Sequence, residues 1–374
     1  MKYMDKANPY RILIGGGGTG GHVFPALAIA DAIRARLPGT EFLFVGAKGR
    51  LEMEKVPEAG YAIEGLPVAG FQRRLTLKNL TFFMKLVASM VVSRRIIRRF
   101  RPHLAIGVGG YASGPILKAA SRAGIPVMLQ EQNSCAGVTN RLLGRSARTI
   151  CVAYEGMEQY FPSEKIILTG NPVRESLLRG NGDRATGLEL FGLEEDRITC
   201  LVTGGSLGAR TLNDGMAEGL SQLDRENVQV LWQCGKLYQA EMEEIVTRSG
   251  MKNIRVLPFI SRMDIAYDLA DVIVARAGAI TISELCIIGK PVILVPSPNV
   301  AEDHQTRNAE ALASRNAAIM IPDREARQKM VETMIGLAFD KQRRAVLSSN
   351  IKKLAIPDGS ARIASEAINI LGTA

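Results

Sequence analysis

The chain is short of cysteine pairs, aromatics, histidine and long apolar runs, and each shortage excludes a class of function. Five cysteines, Cys135, Cys151, Cys200, Cys234 and Cys286, are scattered with no CxxC pair. That pattern excludes a structural zinc site and reads as reduced thiols in a cytoplasmic protein. Aromatic residues make up 5% of the chain, with a single Trp, too few for a stacking platform that binds nucleic acid. No run of about 18 uncharged apolar residues exists, so no segment reads as a membrane span. The opening MKYMDKANPYRILIGGGGTGG has no apolar stretch long enough for a signal peptide. The three histidines, His22, His103 and His304, lie in no cluster at metal-ligand spacing.

What is present is a globular composition: 374 residues, 47% hydrophobic and 22% charged, which suits two domains of roughly 150–200 residues. Charge is unevenly placed. Residues 1–170 carry 23 Lys and Arg against 11 Asp and Glu, net +12, and the remainder is net −2. No acid falls between Glu64 and Glu131. Such asymmetry points to an anionic partner for the first half, whether nucleic acid, an anionic membrane or a phosphorylated substrate.

Short apolar runs alternate with amphipathic ones, as in parallel sheets covered by helices. Strands are expected at Arg11–Ile14, Glu41–Val45, Leu104–Val108, Val127–Gln130, Thr149–Val152 and Ile166–Leu168 in the first half. In the second they are expected at Ile198–Val202, Val228–Trp232, Ile254–Leu257, Val272–Val274, Val292–Val295 and Ala318–Ile321. The expected fold class is α/β, two doubly wound Rossmann-like domains. A turn at Gly170-Asn171-Pro172 divides them into 1–171 and 172–357, and a last amphipathic segment within 358–374 is free to return to the first.

A faint repeat marks the two halves. Gly17-Gly18-Thr19-Gly20-Gly21 follows the first strand of one, and Gly204-Gly205-Ser206-Leu207-Gly208 the first strand of the other. Glycines at such turns let backbone N–H groups approach an anion at a helix start. Dinucleotide binding would need an acid at the end of the second strand, where this chain has Gly46-Ala47-Lys48. His22 follows the first glycines and is either a packed helix-start residue or a base. Thr281-x-x-Glu284 fits a capping box, and Glu284 equally suits the vicinal hydroxyls of a ligand. Ser206 suits an N-cap or a phosphate turn, and Arg174, beside a turn, suits a diphosphate.

Residues 71–101 hold nine basic residues and no acid. Arg73, Arg74, Lys78 and Lys85 interleave there with Leu75, Leu77, Leu80, Phe82, Phe83, Leu86 and Val87, as at an anionic lipid surface. The alternative is a buried amphipathic helix with a solvated basic face.

Eight segments in order carry a resemblance. They are Gly17–His22, Gly109-Gly110-Tyr111-Ala112-Ser113-Gly114-Pro115, Glu131-Gln132-Asn133, Ala136–Asn140, Gly170–Arg174, Gly204–Arg210, Gly278–Glu284 and His304-Gln305-x-x-Asn308-Ala309. Together they resemble the MurG family, the bacterial N-acetylglucosaminyltransferases of peptidoglycan synthesis. The resemblance implies a GT-B fold with two domains facing a cleft and the last helix crossing back to the first domain. It implies transfer of GlcNAc from UDP-GlcNAc to the muramyl 4-hydroxyl of undecaprenyl-pyrophosphoryl-MurNAc-pentapeptide (lipid I), with inversion, giving lipid II and UDP. No cofactor and no metal are implied.

The implied place of work is the cytoplasmic face of the bacterial plasma membrane. The implied partners are the two substrates, the anionic lipid surface and possible other cell-wall synthesis proteins, with no nucleic acid. By the same resemblance the donor is held by Thr19, Gly20, Gly21, Asn133, Arg174, Ser206, Ile260, Ala279, Ile280, Thr281, Ile282, Ser283, Glu284 and Gln305. Tyr111, Ser113 and Asn140 fall on the acceptor side. His22 is the candidate base and Glu131 the fallback. Where some relatives carry two glutamines this chain has His304-Gln305, which leaves the role of His304 open. A UDP-GlcNAc 2-epimerase of the same fold is the alternative.

Overall fold

A computed structural model describes residues 9–18, 20–68, 78–173, 177–178, 184–300 and 303–372, with the side chains of 78–83 outside the description. The chain forms two compact units, Met1–Val173 with Asp358–Ala374, and Arg174–Pro357.

The first unit holds strands β1 (Arg11–Gly15), β2 (Glu41–Ala47), β3 (Ala62–Leu66), β4 (Leu104–Gly107), β5 (Val127–Glu131), β6 (Thr149–Val152) and β7 (Ile166–Leu168). The second holds β8 (Thr199–Thr203), β9 (Gln229–Gln233), β10 (Ile254–Leu257), β11 (Val272–Ala275), β12 (Val292–Leu294) and β13 (Ile319–Met320). The sheet orders are β3-β2-β1-β4-β5-β6-β7 and β10-β9-β8-β11-β12-β13, and every pairing is parallel. In both units the chain winds outward from its first strand one way and then the other.

Helices on both faces explain why the strands read as unbroken apolar runs. Alternate residues of β1 enter different cores. Ile12 and Ile14 pack with Ile29 and Ile33 of the helix Gly20–Arg36, and with Ile363, Ala367 and Ile370 of the last helix, Gly359–Gly372. Leu13 packs on the other face with Ile116 and Leu117 of the helix Ser113–Arg122. In the second unit Cys200 and Val202 meet Leu212 and Met216 of the helix Arg210–Arg225, while Leu201 meets Tyr267 and Ile282. Sequence patterning misses β3, because Ala-Ile-Glu-Gly-Leu is a half-exposed edge strand with no buried run to reveal it.

The basic-apolar stretch enters the helix Lys78–Phe100. Its second half turns Ser93, Ile96 and Ile97 inward, whereas Met84, Val87 and Val91 are 68%, 63% and 51% exposed. A helix buried along its length would not leave that row in water. No helix among the described residues is long and apolar enough to cross a membrane.

Candidate active site

In open parallel sheets, ligands gather outside the carboxyl ends of the strands where the winding reverses. That point lies between β1 and β4 in the first unit and between β8 and β11 in the second.

After β1 the glycine turn wraps a carboxylate that sequence reasoning missed. Glu52 is 2% exposed; its Oε2 accepts from Gly18 N at 2.8 Å and its Oε1 from Ala47 N at 2.8 Å. Gly17 sits at φ +135°, and a β-carbon there would overlap that carboxylate. The turn is therefore glycine because the buried Glu52 side chain already fills the space a β-carbon would take. Gly20 and Gly21 open the following helix, half-buried and exposed respectively, and Thr19 lies outside the described residues.

His22, on the first turn of that helix, is half-buried. Its Nδ1 lies 3.2 Å from Oε1 of Gln132, and its ring covers Gly109, where a β-carbon would come within 3.1 Å of Cε1. Gly109 stands at φ +91° in the turn after β4. Beneath the ring is a buried chain of amides. Gln132 Nε2 donates to Val108 O at 2.8 Å and meets Oε1 of Gln130. Gln130 Nε2 donates to Asn171 Oδ1 at 3.0 Å, and Asn171 Nδ2 donates to Gln132 O at 3.0 Å.

Glu131, at the end of β5, faces a different task. It is 2% exposed, and Oε1 accepts from the N and Nδ2 of Asn133 at 3.1 and 3.3 Å. Its Oε2 accepts from Gly137 N at 3.1 Å and Asn140 Nδ2 at 2.9 Å. Burial pushes its carboxyl pKa up, and those N–H donors pull it partly back. The carboxylate thus ties residues 133–140 into one turn. Asn140, expected on the acceptor side, is 2% exposed and braces Glu131 from below. Tyr111 is 58% exposed in the turn after β4, while Ser113 is fully buried with its Oγ unpartnered.

In the second unit the capping-box expectation is corrected. Gly278, in extended conformation, is the N-cap of the helix Ala279–Ile288, and no side chain caps it. Thr281 is already the third helical residue, too far in to cap, so its spacing to Glu284 has no capping role. Glu284 is 2% exposed and accepts from Tyr267 OH at 3.2 Å. Ala279 and Ile282 are buried, Ile280 and Thr281 half-buried, and Ser283 Oγ turns back to Ala279 O at 3.1 Å.

Ser206 is likewise not an N-cap, since that position belongs to Ala209. It lies exposed in the turn after β8, held from beneath by Gln233 at the end of β9. Gln233 Nε2 donates to Gly205 O at 2.9 Å, and its Oε1 accepts from Ile260 N at 3.0 Å. One buried amide thereby fixes two segments expected to hold the donor, and nothing in its sequence context marks it. Gln305 Oε1 accepts from Ser297 N at 2.9 Å, which closes the loop after β12. Arg174 lies outside the described residues.

Of the membrane-surface candidates, Arg73, Arg74 and Leu75 lie outside the described residues. Lys78, Leu80, Phe82 and Phe83 are described as helical backbone only, and Lys85 is exposed. A groove of about 520 Å³ lined by Ile97, Arg98, Arg101, Pro102, Ala123 and Ile125 lies at the amino end of β4, away from the carboxyl-end turns.

The N-terminal domain of glycosyltransferase family 28 matches residues 12–152, and the C-terminal domain of the same family matches residues 199–363. A Bacteroides fragilis protein is 52% identical over 96% of this chain and 95% of its own length. It is named UDP-N-acetylglucosamine–N-acetylmuramyl-(pentapeptide) pyrophosphoryl-undecaprenol N-acetylglucosamine transferase. A Cytophaga hutchinsonii protein of the same name is 50% identical over 99% of both chains. Among solved structures, Acinetobacter baumannii MurG is 29% identical with a TM-score of 0.77, covering 96% of this chain and all of its own. A Neisseria meningitidis UDP-GlcNAc 2-epimerase has a TM-score of 0.67 over 97% of this chain at 11% identity, a likeness of fold alone.

Proposed function

The chain belongs to glycosyltransferase family 28, among its UDP-N-acetylglucosamine–N-acetylmuramyl-(pentapeptide) pyrophosphoryl-undecaprenol N-acetylglucosamine transferases, and on that premise we propose how its two GT-B units divide the work. It is a hexosyltransferase that takes GlcNAc from UDP-GlcNAc to the lipid-linked muramyl acceptor. The reading is carried by one pairing: a histidine on the β1 turn of one unit and an uncapped helix start with a buried carboxylate in the other. Both lie at the winding reversal of their own sheet.

His22 takes the proton of the muramyl 4-hydroxyl. That oxygen attacks the anomeric carbon as the bond to UDP breaks, so one displacement turns the α-linked donor into a β-linked product. The departing diphosphate meets the N-terminus of the helix Ala279–Ile288, whose dipole and N–H groups stabilise negative charge, with Arg174 as a cationic partner. Glu284, oriented by Tyr267, accepts the ribose hydroxyls. Because Gln233 holds the Ile260 N–H, the uracil contact falls to the Ile260 carbonyl.

Ser206, Gln305, Asn133, Thr19, Gly20 and Gly21 complete the donor side, and the exposed Tyr111 receives the acceptor, while Ser113 is fully buried and does not reach it. Glu131 and Asn140 build the 133–140 turn, so the base assignment stays with His22. The helix Lys78–Phe100, with Arg73, Arg74 and Leu75 before it, docks peripherally on the anionic cytoplasmic leaflet where the acceptor lies.

UDP release from UDP-GlcNAc, followed in EDTA with and without a short-chain lipid I analogue, tests this reading. The expected result is acceptor-dependent release with a disaccharide product. Consumption of UDP-GlcNAc without acceptor would indicate epimerase chemistry. Binding of UDP with no release would remove lipid I as the acceptor.

A further inference from the structure

We propose that Gln132 is a positioning residue that fixes the proton of neutral His22 on Nδ1 and so leaves Nε2 as the basic nitrogen. The inference rests on the reading of His22 as base for its consequence, but its geometry is independent of that reading.

The orientation of each amide follows from a backbone carbonyl, which can only accept. Asn171 faces Gln132 O at 3.0 Å, so that atom is its Nδ2, and its Oδ1 then accepts from Gln130 Nε2 at 3.0 Å. Gln130 therefore presents Oε1 to Gln132. Gln132 turns Nε2 toward both that oxygen and Val108 O, the latter at 2.8 Å. Two independent acceptors thus dictate the same orientation. The atom left to face His22 is the carbonyl oxygen Oε1, 3.2 Å from Nδ1. An oxygen there accepts only if Nδ1 carries hydrogen, and the hydrogen bond made by one ring nitrogen sets the state of the other.

The relay is rigid. Gln130, Gln132 and Asn171 are 0%, 2% and 2% exposed, so no water competes for their bonds, and reversing one amide would bury an unmatched pair of oxygens. Gly109 lets the ring approach the turn after β4 closely, because a side chain there would meet its Cε1–Nδ1 edge. The ring is held by Gln132 at one edge and by the Gly109 backbone beside it. A neutral amide in this place selects the tautomer without adding a negative charge beside the ring.

The test is nitrogen NMR of the full chain with 15N-labelled histidine, where three imidazoles are to be resolved and His22→Gln identifies the signal of interest. At a pH where His22 is neutral, Nδ1 is expected in the protonated state and Nε2 in the unprotonated one. In Gln132→Leu the preference is expected to vanish, with kcat lower by about 10–100-fold and the KM for UDP-GlcNAc unchanged. An Nε2-protonated ring in the unaltered protein would overturn the proposal, and this readout requires no variant to fold. An unchanged tautomer in Gln132→Leu would overturn it as well. If Nδ1 is protonated but His22→Ala retains kcat, the base assignment fails while the tautomer assignment stands. An Nε2-protonated ring with an inactive His22→Ala gives the reverse.

Discussion

The two units wind their sheets in the same order and reverse at the same point, yet they set different side chains there. The first presents a titratable ring over neutral amides, with Glu52 and Glu131 turned inward as scaffolding. The second presents a helix start and a buried Glu284, with Gln233 beneath. Charge separates them further, +12 in residues 1–170 against −2 in the rest. On the proposed reading, one α/β plan supplies a proton acceptor for a lipid-bound alcohol in one copy and a cradle for a soluble nucleotide in the other. The plan fixes where the site lies, and three or four side chains per unit decide what it does.

The contrast breaks most sharply at His22. His22→Ala is expected to lower kcat by about 10²–10⁴-fold while UDP affinity, measured by calorimetry, holds. Equal loss of both would make the residue a binding element. The next largest effect concerns the basic surface. Replacing Arg73, Arg74, Lys78 and Lys85 with Ser removes about 1 kcal/mol of lipid attraction per residue, so partition onto anionic vesicles should fall by about 10²–10³-fold and its salt dependence should weaken. Unchanged partition would return that stretch to a merely solvated face.

Most of this contrast was legible in the sequence, but not evenly. Buried parallel strands announce themselves because both faces are apolar, so β1, β4, β8 and β11 could be located from sequence, and with them the turns of the site. His22 stood out because glycines before a helix are rare without a reason. Glu52, Gln132 and Gln233 did not, although they hold those turns. Each is a polar residue close to a strand end or helix start, and only its burial, which depends on segments 27 to 110 residues away, distinguishes it from a surface neighbour. The Thr281-x-x-Glu284 spacing misled for a related reason. A capping box presumes where the helix begins, and the extended Gly278 starts this one early enough to carry Thr281 inside.

The two supporting glutamines offer a finer test. Gln233→Leu leaves the Gly205 carbonyl and the Ile260 N–H without their partner, at a cost of about 1–3 kcal/mol in nucleotide-site order or stability. It should raise the KM for UDP-GlcNAc, about 10-fold, with a smaller change in kcat, the opposite split to that expected of Gln132→Leu. The same split in both variants would mean that the units do not divide the labour as proposed.

The smallest effect is one of pH, and it belongs to the first unit alone. Burial raises the folded-state pKa of Glu131 above its ordinary value. A group so raised binds its proton more tightly in the folded chain, so its contribution to stability is fully present below the ordinary carboxylate range and is lost as pH rises through the raised value. Glu131→Gln removes that linkage and leaves an amide N–H among the donors from Asn133, Gly137 and Asn140. The variant should melt below the parent protein at neutral pH, and the gap in Tm should widen as pH is lowered toward the ordinary carboxylate range. A gap that narrows would mean that the four donors outweigh burial and hold the carboxylate charged, and Glu131 would then become a candidate for direct charge stabilisation in the reaction.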